Sequence, residues 1–452
     1  MRNEALFRDT PVWQAIAKLV IPSVLTILVM VIYNLADMYF ISMLEDDRLV
    51  AAVAAVSPVF SLANALATMI GAGGSTLIAN ALGEADREKA QSLLGLCLYG
   101  AVIIGALYGL VLLVFDDVFL SMLGTAGELA ANSKIYMRVL ACGAPFMLFS
   151  IATGSSIRAE GIIIPGMLAN MAGTAVNLVL DPLLILVFHM GLRGAALATV
   201  LGNLTACALL VRAIRKHSSF TDFSYKPALG AIALFPLIMF TGLPNGISTT
   251  LSGFASAFGN RILAGYGDGS IAANAAAGRG VLVITMVNMG ICMGVTPLIA
   301  YCSGAKNYTR LKGVLIKTLI LTMGFGFCGG LACFVFRNNL SAMFLNDPDN
   351  LALCQNMMIW LIAASPFLGI FYLSSNFLQA SGKPLAATVL SALRQGGILI
   401  PALWLMNRLF GLYGIAAAHT LADGLAIAVA ASAALSHWRK MSQKDGNESK
   451  QK

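Results

Sequence analysis

The chain has 452 residues, of which 58 % are hydrophobic and 11 % charged, with mean hydropathy +0.81 and net charge +8. A soluble domain carries about a quarter of its residues as charged types, so this chain lacks the charge to coat a water-exposed surface and is expected to lie in a membrane. Its apolar runs are long and do not alternate with period two, which excludes barrel strands and leaves helices of roughly 20 residues per crossing.

The chain opens on a polar stretch, MRNEALFRDTPVWQ. The apolar run behind it is too long for a cleavable leader and reads as a retained helix. About twelve spans are expected, centred near Leu28, Leu62, Ile104, Phe146, Ala175, Leu204, Thr250, Val287, Ile320, Ala364, Ile398 and Leu425. Basic residues fall in alternate loops: Arg2, Arg8 and Lys18, then Arg87 and Lys89, then Arg212, Arg215, Lys216 and Lys226. Lys306, Arg310, Lys312 and Lys317 continue the series, which ends with Arg439, Lys440, Lys444, Lys450 and Lys452. The opposite loops carry EDD, DD and NDPDN. The positive-inside rule then puts both termini in the cytoplasm. The basic balance is a topology signal, and no basic stripe interleaved with aromatics points to nucleic acid.

Within the first span, Tyr33, Asn34 and Asp37 share a helix face. Asp37 reads as a functional acid or as an interfacial one, since the span ends near Leu44. GAGGST at 71–76 lacks the Lys of a phosphate-binding loop and reads as small residues in close helix contact. In the fifth span Asn170, Thr174, Asn177 and Asp181 recur at spacings of four, three and four, along one face. Asn and Thr can be helix–helix glue. An acid is expensive glue, so Asp181 reads as functional. Thr199 and Asn203, one turn apart in the sixth span, read more simply as packing.

Span seven carries Asn245, Thr249, Ser252, Ser256 and Asn260 without a carboxylate, equally compatible with a cavity wall or close packing. In span twelve, His419 and Asp423 stand four apart and are expected to form an ion pair, either structural or proton-relaying. Arg279 and Arg394 lie within or near spans, with no partner named by the sequence. Eight scattered cysteines form no CxxC or Cys/His cluster, which supports neither zinc nor a disulfide framework. No nucleophile–base constellation is present, and the chain is not expected to be an enzyme.

The chain also repeats itself. Gly83 in LIANALGEADREKA matches Gly304 in LIAYCSGAKNYTRLK, and Gly161 in IRAEGIIIP matches Gly382 in LQASGKPLA, both at an interval of 221 residues. The expected fold is all-α and integral to the membrane: two six-helix bundles of like orientation, related by a pseudo-two-fold axis along the membrane normal. The lobes are drawn at 1–215 and 231–440, with a cytoplasmic linker at 216–230 and a polar cytoplasmic tail at 441–452. Two bundles enclosing a cavity and rocking about it favour a transporter, functional as a monomer.

IPSVLTILVMVIYNLADMYFISML (21–44), AEGIIIPGMLANMAGTAVNLVLDPLLI (159–185), GVTPLIAYCSGAKNYTRLK (294–312) and LRQGGILIP (393–401) together resemble the multidrug and toxic compound extrusion family, in its MepA-like and DinF-like branch. The resemblance covers nearly the whole chain. It implies export of varied, often cationic organic compounds from the bacterial cytoplasmic (inner) membrane, in exchange for protons or sodium, with no cofactor. It also implies an N-lobe coupling site, which by motif position is Asp37, Asn177, Asp181 and Thr199. Tyr33, Asn34, Asn170, Thr174 and Asn203 would line the adjoining cavity, and Asn245, Thr249, Ser252, Ser256 and Asn260 the C-lobe side. Another branch of the family places an acid on span seven; none is present here, which argues against that site. The expected partners are small organic cations and membrane lipids. The rival reading is a flippase for lipid-linked sugars, whose cavity should be cationic where this stripe is acidic.

Overall fold

Helices begin where a side chain can satisfy their open N–H groups. In the computed structural model, Asp86 accepts a hydrogen bond from the Lys89 amide at 3.0 Å, and Asn307 accepts one from the Arg310 amide at 3.0 Å. Each is an N-cap, and the two stand at the repeat interval. The structure describes residues 4–42, 47–123, 125, 127–218, 230–345 and 347–451, without the side chains at 4, 34–42, 47, 48, 50, 51, 268 and 444–451. Among the described residues there is no strand.

The spanning helices are α1 (Val12–Ser42), α2 (Asp47–Gly83), α3 (Arg87–Val114), α4 (Gly127–Ser156), α5 (Ile163–Pro182) and α6 (Gly191–His217). They continue as α7 (Phe235–Ala264), α8 (Asp268–Gly304), α9 (Tyr308–Val335) and α10, a pair Pro348–Ala363 and Leu368–Ala380 bent by 46°. Next, α11 joins Pro384–Ala392 to Leu399–Phe410 through a π-helical turn, Leu393–Ile398, and α12 is Gly414–Gln451. Ten stretches of the described chain are long and apolar enough to cross a membrane, and the bent pair makes an eleventh. The last of the ten, Pro384–Gln443, spans 60 residues. As continuous helix it would run about 90 Å, some three times the hydrocarbon thickness. The chain breaks it at Gly411, at φ 57° and ψ −133°, into α11 and α12. That division brings the count to the expected twelve.

The repeat is written into the backbone. Ala85 and Lys306 both take positive φ (62° and 51°), as do Gly161 and Gly382 (80° and 82°). Short helices Asp116–Met122 and Arg337–Ala342 follow α3 and α9. Close contacts recur too: a Cβ on Gly105 would meet the Cα of Pro145 at 2.6 Å, and one on Gly326 would meet the Cα of Pro366 at 3.0 Å. One difference stands out. Pro145 sits inside unbroken α4, whereas Pro366 lies in the break of α10. A proline removes one helical hydrogen bond, and the two halves absorb that loss differently.

Packing groups the chain into two compact units. The first is Met1–Thr10 with Leu25–Gly246, and the second is Pro11–Val24 with Ile247–Lys452. Each unit therefore includes the opening part of a helix whose remainder belongs to the other. In the first unit, Gly73 of α2 faces the Ile238 carbonyl of α7, where a Cβ would come within 2.0 Å. In the second, Gly294 of α8 faces α1, where a Cβ would come within 3.0 Å of the Leu19 carbonyl and 2.9 Å of Ser23 Oγ. The first unit's core includes Ala52, Val56, Met137, Leu140 and Ile185. The second unit's includes Ala277, Met357, Met358, Leu403 and Ala416. Residues 219–229 of the expected linker lie outside the described residues.

Candidate functional site

The site grows from a close helix pair. A Cβ on Gly173 of α5 would come within 2.6 Å of the Gly202 carbonyl of α6, and one on Gly202 within 2.7 Å of the Gly173 carbonyl. Two glycines facing each other let the backbones touch. One turn from this crossing, Asn177 donates from Nδ2 to Thr199 Oγ1 at 3.3 Å, and Thr199 in turn donates to the Ala195 carbonyl at 3.1 Å. Asn203 donates to the Thr199 carbonyl at 3.0 Å and accepts from Ser150 of α4 at 3.0 Å. The polar residues of three helices thus form one chain.

That chain orients Asn177. With Nδ2 committed to Thr199, its Oδ1 points the other way as an acceptor. This oxygen is buried and has no hydrogen-bond partner among the described residues. Asp181 follows one turn later on the same face, near the end of α5, and is 0 % exposed, against 3 % for Asn177. An amide oxygen and a carboxylate are hard oxygen donors of the kind that suit a small cation or a proton. Among the described residues no group of three or more His, Cys, Asp or Glu could hold a metal ion.

Higher on α5, Thr174 donates to the Asn170 carbonyl at 3.0 Å. A Cβ on Gly154 of α4 would come within 2.6 Å of Asn170 Nδ2, so these two residues serve a second close approach. Tyr33 is half-buried on α1. The side chains of Asn34 and Asp37 lie outside the described residues. On α7, Asn245, Thr249 and Ser252 are half-buried, while Ser256 and Asn260 are exposed.

The second unit departs from expectation. His419 and Asp423 do not form an ion pair. Asp423 instead accepts from Nε of Arg394 at 2.8 Å. The reason is geometric: the π-helical turn of α11 delivers a permanently charged guanidinium against α12, and its single charge-assisted bond from Nε takes the carboxylate. Arg394 was visible in the sequence as a cation in an apolar run. Tyr372 and Phe371, which flank it, carried no signal beyond being aromatic. Arg279 is exposed on α8.

A MatE profile matches residues 22–183 and 230–405. The chain belongs to the MatE family. Relatives match it over most of its length. It is 32 % identical to the multidrug export protein MepA of Staphylococcus aureus (strain MSSA476), over 94 % of each chain. It is 29 % identical to MepA of Staphylococcus haemolyticus (strain JCSC1435), over 92 % of each. Its fold matches a MATE transporter solved in complex with MaL6 at TM-score 0.93 and 22 % identity, covering 98 % of this chain and 100 % of that one. It matches the Vibrio cholerae transporter VcmN in the bent form at TM-score 0.87 and 23 % identity, covering 97 % and 98 %. The chain is a multi-pass MATE efflux transporter and not an enzyme.

Proposed function

We propose that the protein exports organic cations in exchange for protons or sodium, with Asn177 and Asp181 as the core of the coupling site and Asp37 as a further acid. The observation that carries this reading is the pairing on one face of α5 of a fully buried carboxylate with an oriented, partnerless amide oxygen. An acid inside a spanning helix costs about 3 kcal/mol, and an unmatched acceptor about 1–3 kcal/mol more. Helix packing alone could be achieved by apolar residues at no such cost. A cation or proton arriving at these oxygens offsets both terms, and its departure restores them. Occupancy therefore changes the energy of α5 against its neighbours, which is what alternating access of two lobes requires.

Export of multiple compounds is supported by the names of the relatives, and an acidic stripe suits cationic cargo better than lipid-linked sugar phosphates. The basic loops support cytoplasmic termini, and the presence of both repeats in one chain supports function as a monomer. The test uses purified protein in liposomes loaded with a fluorescent cationic dye, under a proton gradient or a sodium gradient applied separately. Dye movement under one gradient, lost in Asp181→Asn and Asp37→Asn, is the expected result and identifies the ion. Transport unchanged in both variants would overturn the coupling site. No dye movement, together with translocation of lipid-linked sugars, would overturn the export reading.

A further inference from the structure

The second unit contains a buried cation-binding shell that the coupling site does not use. Arg394, 9 % exposed, projects from the π-helical turn of α11. Its Nε donates to Asp423 of α12 at 2.8 Å and its Nη1 to the Tyr372 hydroxyl at 3.3 Å. Its guanidinium carbon stands 4.8 Å from the centroid of the Phe371 ring and 5.2 Å from that of Tyr372. Those two rings meet nearly edge to face, 5.8 Å apart at 77°, and form a corner around the cation.

A carboxylate and two aromatic faces recognise a flat, delocalised cation whatever its origin. A guanidinium is one such cation, and a planar aromatic organic cation is another. We propose that Asp423, Phe371 and Tyr372 form a second binding site for planar organic cations, in which Arg394 is the resident occupant that a substrate displaces. A helix-pinning ion pair would need only Arg394 and Asp423. Here the pair also has an aromatic corner, and neither partner is sealed off: the Asp423 side chain keeps 18 % exposure and that of Arg394 11 %, with Tyr372 half-buried. The π-helical turn supplies the movement. Such turns interrupt the regular hydrogen-bond ladder and recur at functional sites, so Arg394 can withdraw without unwinding the rest of α11.

The proposal rests on organic cations being the cargo, and equilibrium binding without a gradient separates it from ion coupling. Ethidium binding to detergent-purified protein is followed by fluorescence anisotropy, with neutral Nile red as the control. Arg394→Gln is expected to tighten ethidium several-fold by removing the competitor, and Asp423→Asn to weaken it several-fold, both leaving Nile red unchanged. Weaker or unchanged ethidium binding in a folded Arg394→Gln protein overturns the proposal, as does equal tightening of both dyes. Hydrogen–deuterium exchange of wild type covers the case of a misfolded variant. Ethidium is expected to raise exchange at 393–398, and no change there overturns the proposal. A wild-type protein that binds no ethidium removes both this site and the cationic-cargo reading, whereas binding insensitive to both substitutions removes this site alone.

Discussion

Asn177 reaches Thr199 because Gly173 and Gly202 let α5 and α6 touch backbone to backbone. The hydrogen bond is a consequence of the crossing, and the free acceptor on Asn177 is a consequence of the hydrogen bond.

Filling that crossing should therefore disturb the site at a distance. A Cβ on Gly202 would come within 2.9 Å of the Asn177 Cβ as well as 2.7 Å of the Gly173 carbonyl. Gly202→Ala should destabilise by about 1–3 kcal/mol, the usual cost of overpacking, and reduce gradient-driven dye efflux. Thermal unfolding in detergent and the liposome assay read the two effects. Unchanged values in both would mean the helices part freely.

Thr199→Val removes the acceptor for Asn177 Nδ2 while keeping the shape. A buried amide left without its partner costs about 1–3 kcal/mol, and Asn177 becomes free to rotate. Coupling-ion affinity should fall in Thr199→Val and be retained in Thr199→Ser. The half-saturating ion concentration for dye efflux is the readout.

The short helix after α3 carries a pH-sensitive anchor. Asp116, 4 % exposed, bonds Arg138 at 2.6 Å and Lys134 at 3.3 Å. Burial works against its ionisation, but the hydrogen bonds and charges of Arg138 and Lys134 outweigh burial and hold its carboxyl below the usual carboxylate range. A depressed carboxyl stabilises the fold above its unfolded pKa and loses that contribution as pH falls through the folded value. The Tm of wild type should therefore fall more steeply than that of Asp116→Asn below about pH 4. Parallel curves would remove Asp116 from acid stability.

Two turns in the second half of the chain predict opposite signs. Gly382 holds φ 82° in open space, so Gly382→Ala should cost about 1 kcal/mol from the backbone alone. Lys306 holds φ 51° with a side chain, so Lys306→Gly should gain about 0.5–1 kcal/mol. Thermal unfolding of the two variants checks both, and a shared sign would refute the backbone argument.

Much of this is legible in the sequence. Scarce charge required a membrane, and long apolar runs required helices, because composition and period are properties of the chain itself. The face shared by Asn170, Thr174, Asn177 and Asp181 followed from 3.6 residues per turn, which is local geometry. The 221-residue interval identified the repeat, and the backbone obeys it down to single positive φ values. Thr199 and Asn203, which read as packing, turned out to be hydrogen-bonded to each other, with Asn177 also bonded to Thr199. Partners were decided only in three dimensions. Asp423 has His419 one turn away on its own helix, yet it bonds Arg394 from the preceding one. Spacing along a chain determines which side of a helix a residue faces. Which helix meets that side, and at what rotation, depends on how glycines, prolines and a π-helical turn seat neighbouring helices against one another.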